Sequence, residues 1–566
     1  MQLRKLYIDG FKNIKKQEIV FPENLSYLTL IGLNGSGKSN YMEALSLILN
    51  SYYRGKKDDI FFEYELVYVL SNNKICCLSN DNDTVDGNRV KLSNIPLPRN
   101  VIACYSGESQ RLWNIAYKDF YEEFFNKAVN NEYEEPRMLY VNKDVWTISL
   151  IALMCSTLGD ITNFLETHFN IKELAEVTLN IQFNEENLGA YKSTELTGFL
   201  RRIKEDGKFM SSVATMDIGN RLIPGSIEYC RHIFFYLYLA CLPKRNDVNK
   251  IDAVIEDIDI VIGDMSYKNI SEGEKKLLLI ECITKILGGE DSLLILDEPD
   301  SHVHIANKHL ICQLCEDFRG QTVMSTHSPY VINEVDFDSL RFVELGTVKR
   351  IDSIRNITTS ITDGSFDVID GTMLIANKKL VVTEGPYDVK YIKHAAKQLA
   401  QDNPRYNLIL TKLSFVFQSG ANSTEDYFKT VVAPIISQLD KVLFVFDVDA
   451  DSNQNGQKGY KKIIEFKQEY GEKVDAMFYA INYPIDVERA SPCYVEDFFP
   501  LSTKLADVIN RFHTPPHFSD IKEANNISSS MKKDIQKNFK DFNKEDLIKF
   551  KALLDEILRN FGLYNS

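Results

Sequence analysis

The chain has 566 residues, 44% hydrophobic and 26% charged, and a formal net charge of −15. That length suits about three or four domains and excludes a single-motif protein, while the composition excludes wholesale disorder and collagen-like or coiled-coil chains. The acidic excess repels phosphate polymers overall, so a nucleic acid has to find a local basic patch. Ten cysteines are scattered along the chain; Cys76 and Cys77 are adjacent, and Cys312 and Cys315 lack the second pair of a zinc site. Reduced core thiols are expected. The start has no apolar targeting segment, and the uncharged runs at 145–159 and 232–243 are shorter than the ~18–20 residues that span a bilayer. A cytoplasmic protein without membrane contact is expected.

Residues 3–10 and 17–21 alternate like strands, and the apolar run 27–32 enters a glycine-rich loop followed by a helical pattern over 38–50. The loop, Gly32 through Asn34, Gly35 and Gly37 to Lys38 and Ser39 with Asn40 next, fits GxxxxGK[ST]. Its backbone amides and the helix N-terminus suit phosphates, Lys38 suits the β/γ oxygens, and Ser39 suits Mg²⁺. From 121 to 247 the pattern becomes helical, aromatic and charged, with breaks at 134–140 and 242–247, and reads as an insertion. The strand 293–297 then ends in adjacent carboxylates: Asp297, suited to hold Mg²⁺, and Glu298, suited to polarise the attacking water.

Strand patterns begin afresh at 379–385 and 442–447, placing a boundary near 364–377. Here acids cluster: Glu384 and Asp388 at i and i+4, Asp447, Asp449 and Asp451 after an apolar strand, then Glu496 and Asp497. Acids crowded this closely repel one another unless hard cations neutralise them, and oxygen ligands suit Mg²⁺ or Mn²⁺; each acid alone also suits a helix cap. The segment from about 520 is rich in lysine and acids and reads as amphipathic helices with a solvated face.

Ser271, Gly273 and Lys275 before the 293–297 strand, and Ser325 and His327 after the next, resemble the signature and histidine switch of ABC-type ATPases of the RecF/SMC branch, as does the opening 6–14. The resemblance implies that Ser271 and Gly273 meet the γ-phosphate across a dimer while His327 meets it in cis. Glu272 and Glu274 stand where that family carries glycine and glutamine. Gln110 is a candidate nucleotide-loop glutamine or an ordinary surface residue, and His302 and His304 neighbour the site without a metal pattern.

The order of Glu384 and Asp388, then Asp447 and Asp449, then Glu496 resembles a Toprim domain. By that resemblance these five residues hold one or two divalent ions for phosphodiester hydrolysis, with Asp451 and Asp497 in reserve. An ABC ATPase followed by Toprim resembles the OLD family of prokaryotic nucleases. The implied fold is α/β: an ABC-type P-loop ATPase with a helical insertion, then a Rossmann-like Toprim domain with C-terminal helices. Domains are expected at 1–120 and 248–370 (ATPase), 121–247 (insertion and dimerisation) and 371–566 (Toprim). The family implies an ATP-regulated, Mg²⁺- or Mn²⁺-dependent DNA endonuclease or nickase and an antiphage effector. It implies a homodimer or higher even oligomer, beside a helicase-like protein or a retron reverse transcriptase with its RNA–DNA hybrid. The rivals are a topoisomerase or primase, a RecF-like DNA-binding ATPase with a silent Toprim domain, and an ATP-sensing scaffold acting through a partner. No tyrosine carries a motif that marks it as a nucleophile.

Overall fold

The computed structural model describes residues 1–23, 25–105, 111–130, 132, 134–189, 191, 194–218, 222–242, 253–263, 265–304, 307–350, 378–418, 423–448, 455–480, 493–500, 535–536 and 539–564. The chain divides into two compact units, Met1–Ile361 and Thr362–Ser566.

The first unit is built on a seven-stranded sheet in the order Thr347–Arg350, Leu340–Glu344, Tyr27–Ile31, Gln321–Thr326, Ser292–Asp297, Asn100–Tyr105, Met138–Val141. Neighbours pair in parallel except at the Thr347–Arg350 edge, which is antiparallel. Every residue of Tyr27–Ile31, Ser292–Asp297 and Gln321–Thr326 is buried, as parallel strands covered on both faces require. Alternation sends Leu293 and Ile295 into a core with Leu45 and Ile48 of the helix Lys38–Tyr53. Leu294 and Leu296 enter the opposite core with Leu150, Tyr238 and Leu278. An antiparallel sheet in the order Gln17–Val20, Gln2–Asp9, Glu63–Val69, Ile75–Ser79, Thr84–Val85, Asn88–Arg89 contributes Leu3, Leu6 and Leu66 to the first of these cores.

Residues 121–247, expected as a helical insertion, hold both helices and strands. Helices Gly159–Phe169 and Ile227–Cys241 are present, but Met138–Val141 is an edge strand of the main sheet and Val177–Phe183 pairs antiparallel with Ile255–Ile262. These runs are 4 and 7 residues long, too short for periodicity to separate them from buried helix. Ile148 and Phe235 share one core with Leu294 of the central sheet, so this stretch is structurally continuous with the sheet.

The second unit holds a four-stranded parallel sheet in the order Ser414–Phe417, Lys379–Thr383, Lys441–Phe446, Val474–Phe478. From the Lys379–Thr383 strand the chain crosses first to Ser414–Phe417 on one side and then to Lys441–Phe446 on the other. The gap between Lys379–Thr383 and Lys441–Phe446 is therefore the switch point, where open α/β sheets accept ligands at the strands' carboxyl ends. The expected C-terminal amphipathic pattern appears as the helix Phe550–Asn560, whose Phe550, Leu553, Leu554, Ile557 and Leu558 are buried in this unit's core. Arg405 Nη2 and Tyr406 Oη donate to Asp555 at 3.0 and 2.9 Å. Among the described residues no helix is long and apolar enough to cross a membrane, and all ten cysteines are free thiols.

Phe550 is fully buried, with the Phe498 and Phe499 rings 4.9 and 5.2 Å away. Phe550→Ala is expected to cost the second unit about 3–5 kcal/mol, read as a lowered denaturant midpoint. An unchanged midpoint would show that the C-terminal helix is not part of that core.

Candidate functional site

The strand Tyr27–Ile31 delivers the chain to a loop that side chains would block. A Cβ on Gly32 would lie 2.2 Å from the Val343 carbonyl oxygen. Gly35 and Gly37 have φ of +78° and +111°, in the region only glycine enters cheaply. The helix Lys38–Tyr53 starts at Gly37 without a side-chain cap, so its first amides have no side-chain acceptor and suit an anion. Lys38 Nζ donates to the carbonyls of Gly32 and Leu33 at 2.8 and 3.1 Å. Burial lowers its pKa, while Glu298 and Asp297 act to raise it. Asn34 is exposed.

Two neighbouring strands bring the acids to this loop. Asp297 is buried at the end of its strand, and Ser39 Oγ donates to its Oδ2 at 3.0 Å while Ser325 Oγ donates to its Oδ1. Burial raises its pKa against those two hydrogen bonds. Glu298 follows with φ +50°, a left-handed turn that costs a non-glycine residue energy and that clusters at active sites. The turn is fixed by the Glu298 N–H, which donates to Ser325 Oγ at 3.0 Å, and by Lys276 Nζ, which donates to the Glu298 and Ser301 carbonyls at 3.4 and 2.7 Å. His327 Nδ1 stands 3.2 Å from Glu298 Oε1. This contact raises the His327 pKa and holds that of Glu298 down.

The remaining candidates divide. Ser271 caps the helix Glu272–Cys282, and its hydroxyl and N–H donate to Glu274 at 2.7 and 2.8 Å. Glu274, in the place of the family's glutamine, thus completes a capping box. Gly273 is buried, and a Cβ there would lie 2.8 Å from the His302 carbonyl. His302 and His304 are exposed; Gln110 lies outside the described residues. Asn40 Nδ2 donates to Asn13 Oδ1 at 2.7 Å and its Oδ1 accepts from Arg111 at 3.3 Å. Sequence reading missed Asn13, against whose amide Gly37 packs so closely that a Cβ would come within 2.8 Å. It also missed Lys276, and the adjacent signature was the only pointer to it.

In the second unit the first residue beyond each strand is polar: Gln418, Glu384, Asp447 and Tyr479 in sheet order. Glu384 and Asp447 meet at the switch point, where the Asp447 N–H donates to Glu384 Oε1 at 2.9 Å. Asp447 Oδ1 accepts from the Val495 N–H at 3.3 Å, which brings the 493–500 segment to the same edge. Asp388 Oδ2 accepts from the Gly385 N–H at 3.0 Å at the start of the helix Pro386–Leu399. Asp497 caps its own turn through the Tyr494 N–H at 2.8 Å, and Glu496 is buried. Asp449 and Asp451 lie outside the described residues. Among the described residues no group of three or more His, Cys, Asp or Glu side chains is disposed to hold a metal ion.

A family model described as "AAA domain, putative AbiEii toxin, Type IV TA system" matches residues 166–333, and one described as "Protein of unknown function (DUF2813)" matches 1–77. The chain is 38% identical over 72 residues to the DNA replication and repair protein RecF of Caldanaerobacter subterraneus subsp. tengcongensis, covering 12% of this chain and 19% of that one. It is 33% identical over 82 residues to RecF of Thermoanaerobacter sp. strain X514, covering 14% and 22%. Residues 166–333 of the first unit are thus similar to an AAA-type ATPase domain. The chain spans about a fifth of the length of those curated relatives. The solved SMC head domain from Thermotoga maritima is similar at 16% identity with a TM-score of 0.28, covering 62% of this chain and 100% of that one; a score that low carries no argument beside the strand order and the phosphate loop.

The His327–Glu298 pair fixes a pH window. Pairing raises His327 above the ordinary imidazole value of 6.5, so its contribution is complete below that value and is lost as pH rises through the raised pKa. Glu298, held below 4.5, loses its share as pH falls through its lowered pKa. Histidine ring NMR is expected to give His327 a midpoint above 6.5 that falls in Glu298→Gln; the same midpoint in both would contradict the pairing.

Proposed function

We propose that the chain is an ATP-regulated, divalent-metal-dependent DNA endonuclease or nickase of the OLD type, acting as an antiphage effector. The observation that carries the reading is that each unit ends its parallel strands in its own set of charged groups. The loop with Lys38, Ser39, Asp297, Glu298 and His327 serves ATP, and the edge with Glu384, Asp388 and Asp447 serves a phosphodiester. DNA as the polymer is carried over from the relatives named as DNA replication and repair proteins.

At the ATP site Gly32, Asn34, Gly35, Gly37 and Asn40 shape the loop, its amides and Lys38 bind phosphate, and Glu298 holds the attacking water. His327 keeps Glu298 ionised and aimed, and Ser271 and Gly273 approach from a second copy of the chain. The hydroxyl of Ser39 beside the buried carboxylate of Asp297 is an oxygen pair suited to Mg²⁺. At the second site Glu384, Asp388 and Asp447, with Asp449 and Glu496 by resemblance, supply the oxygen donors that Mg²⁺ or Mn²⁺ takes, although the described ones are not gathered into a metal-holding group. Such an ion supplies Lewis acidity to water and to the leaving oxygen. Here the protein's own part is orientation: backbone N–H groups of Gly385, Asp447 and Val495 each fix one carboxylate oxygen. The domain limits are proposed as above, with 121–247 dimerising. The partner is a helicase-like protein or a retron reverse transcriptase with its RNA–DNA hybrid.

The same backbone tethers favour a second reading, an ATPase with a silent second domain, because an acid committed to an amide is also a cap. One assay tests the nucleotide site that both readings share, and a second separates them. Lys38→Ala is expected to abolish ATP binding, whereas Glu298→Gln keeps binding and lowers turnover about 10²–10⁴-fold, measured as phosphate release. Plasmid cleavage with Mg²⁺ or Mn²⁺ is expected in the wild type and absent in Glu384→Ala. Equal cutting by both would overturn the nuclease site.

A further inference from the structure

Around the second site lie two hydroxyls that the proposed chemistry does not yet use. Tyr479, the first residue past Val474–Phe478, and Tyr391, on the helix Pro386–Leu399, are both 0% exposed; among the described residues neither hydroxyl makes a well-formed hydrogen bond, and that of Tyr479 faces Asp388. A buried phenol oxygen without a partner is costly, and Phe would fill the same space without that cost. Both phenols stand among the acids. The Tyr479 N–H donates to the Phe446 carbonyl at 2.8 Å, one residue before Asp447, and Tyr391 follows Asp388 by one turn on the same helix, with the Phe499 ring 4.8 Å away. A phenol hydroxyl beside a carboxylate serves it as a donor.

We propose that Tyr479 and Tyr391 are positioning residues for a divalent cation of the Mg²⁺ or Mn²⁺ class, donating to Asp388 and Glu496 when the cation draws those carboxylates inward. This rests on the metal-site reading above. Asp388 has one oxygen fixed by the Gly385 N–H at 3.0 Å, which sets its position along the edge. A donor that orients a ligating carboxylate raises metal affinity, and losing such a partner weakens binding about 10–100-fold. The unpartnered Gln418 amide, 1% exposed at the other end of the same row, fits an edge built for something polar.

The test is Mn²⁺ titration calorimetry of the full chain without nucleotide, for wild type, Tyr479→Phe, Tyr391→Phe and Asp447→Ala, with thermal melts of each metal-free protein. The expected result is binding in the wild type, about 10–100-fold weaker binding in each Tyr→Phe variant, and metal-free melting temperatures unchanged or raised. Unchanged affinity in both Tyr→Phe variants, or weaker binding with a lowered metal-free melting temperature, would overturn the proposal while the metal site stands. Identical isotherms for wild type and Asp447→Ala would remove the metal-site reading and the proposal together.

Discussion

A buried carboxylate is expensive, and Asp297 sits at the carboxyl end of a strand in which every residue is buried, with no ion pair among the described residues. Its compensation comes from two hydroxyls, Ser39 at the start of the phosphate-loop helix and Ser325 on the next strand. To satisfy this one acid the sheet has to bring the strands Ser292–Asp297 and Gln321–Thr326 and the loop after Tyr27–Ile31 to a single point. Ser325 is used twice, since it also receives the Glu298 N–H. The left-handed turn at Glu298 and the polarity of Asp297 are thus stabilised by the same hydroxyl.

The loop depends equally on residues far away in sequence. Asn13 touches Ser36 and Asn40 through its side chain, and Gly346 packs so tightly on it that a Cβ would lie 2.2 Å from its carbonyl oxygen. The Gly346 N–H donates to the Ser36 carbonyl at 2.7 Å, and Tyr41 Oη donates to the Gly346 carbonyl at 2.6 Å. Two turns, one from each sheet, therefore clamp the phosphate loop. Its backbone is shaped before any anion arrives, which lowers the ordering cost of binding.

The sequence made some of this visible and hid the rest for physical reasons. The phosphate loop and the Asp297–Glu298 strand end are local patterns in which spacing alone fixes chemistry. The strand Met138–Val141 is hidden because a four-residue apolar run carries no period of its own. Asn13 is hidden because a bracing side chain acts through tertiary contact, and nothing at positions 10–16 announces a partner at 346. Glu274 reads as a departure from a family pattern, yet locally it is the ordinary N3 residue of a capping box. At the second site, the strand ends were legible from apolar runs stopping at acids. Tyr479 and Gln418 were not, because an aromatic or an amide after a strand has no distinctive spacing.

The helix Glu272–Cys282 ties these observations together. Its exposed first turn carries Ser271, occupied by Glu274, and its next turn sends Lys276 to the Glu298 and Ser301 carbonyls. Gly273 lies between them, pressed against the His302 backbone. A ligand that takes the Ser271 hydroxyl has to displace Glu274, and the capping box holds the helix start in its present register. Any shift of that start moves Lys276 with it, because a single helix is stiff over 5 residues. The carbonyl that Lys276 holds belongs to Glu298, so the start of this helix and the left-handed turn at Glu298 are braced against each other through one side chain.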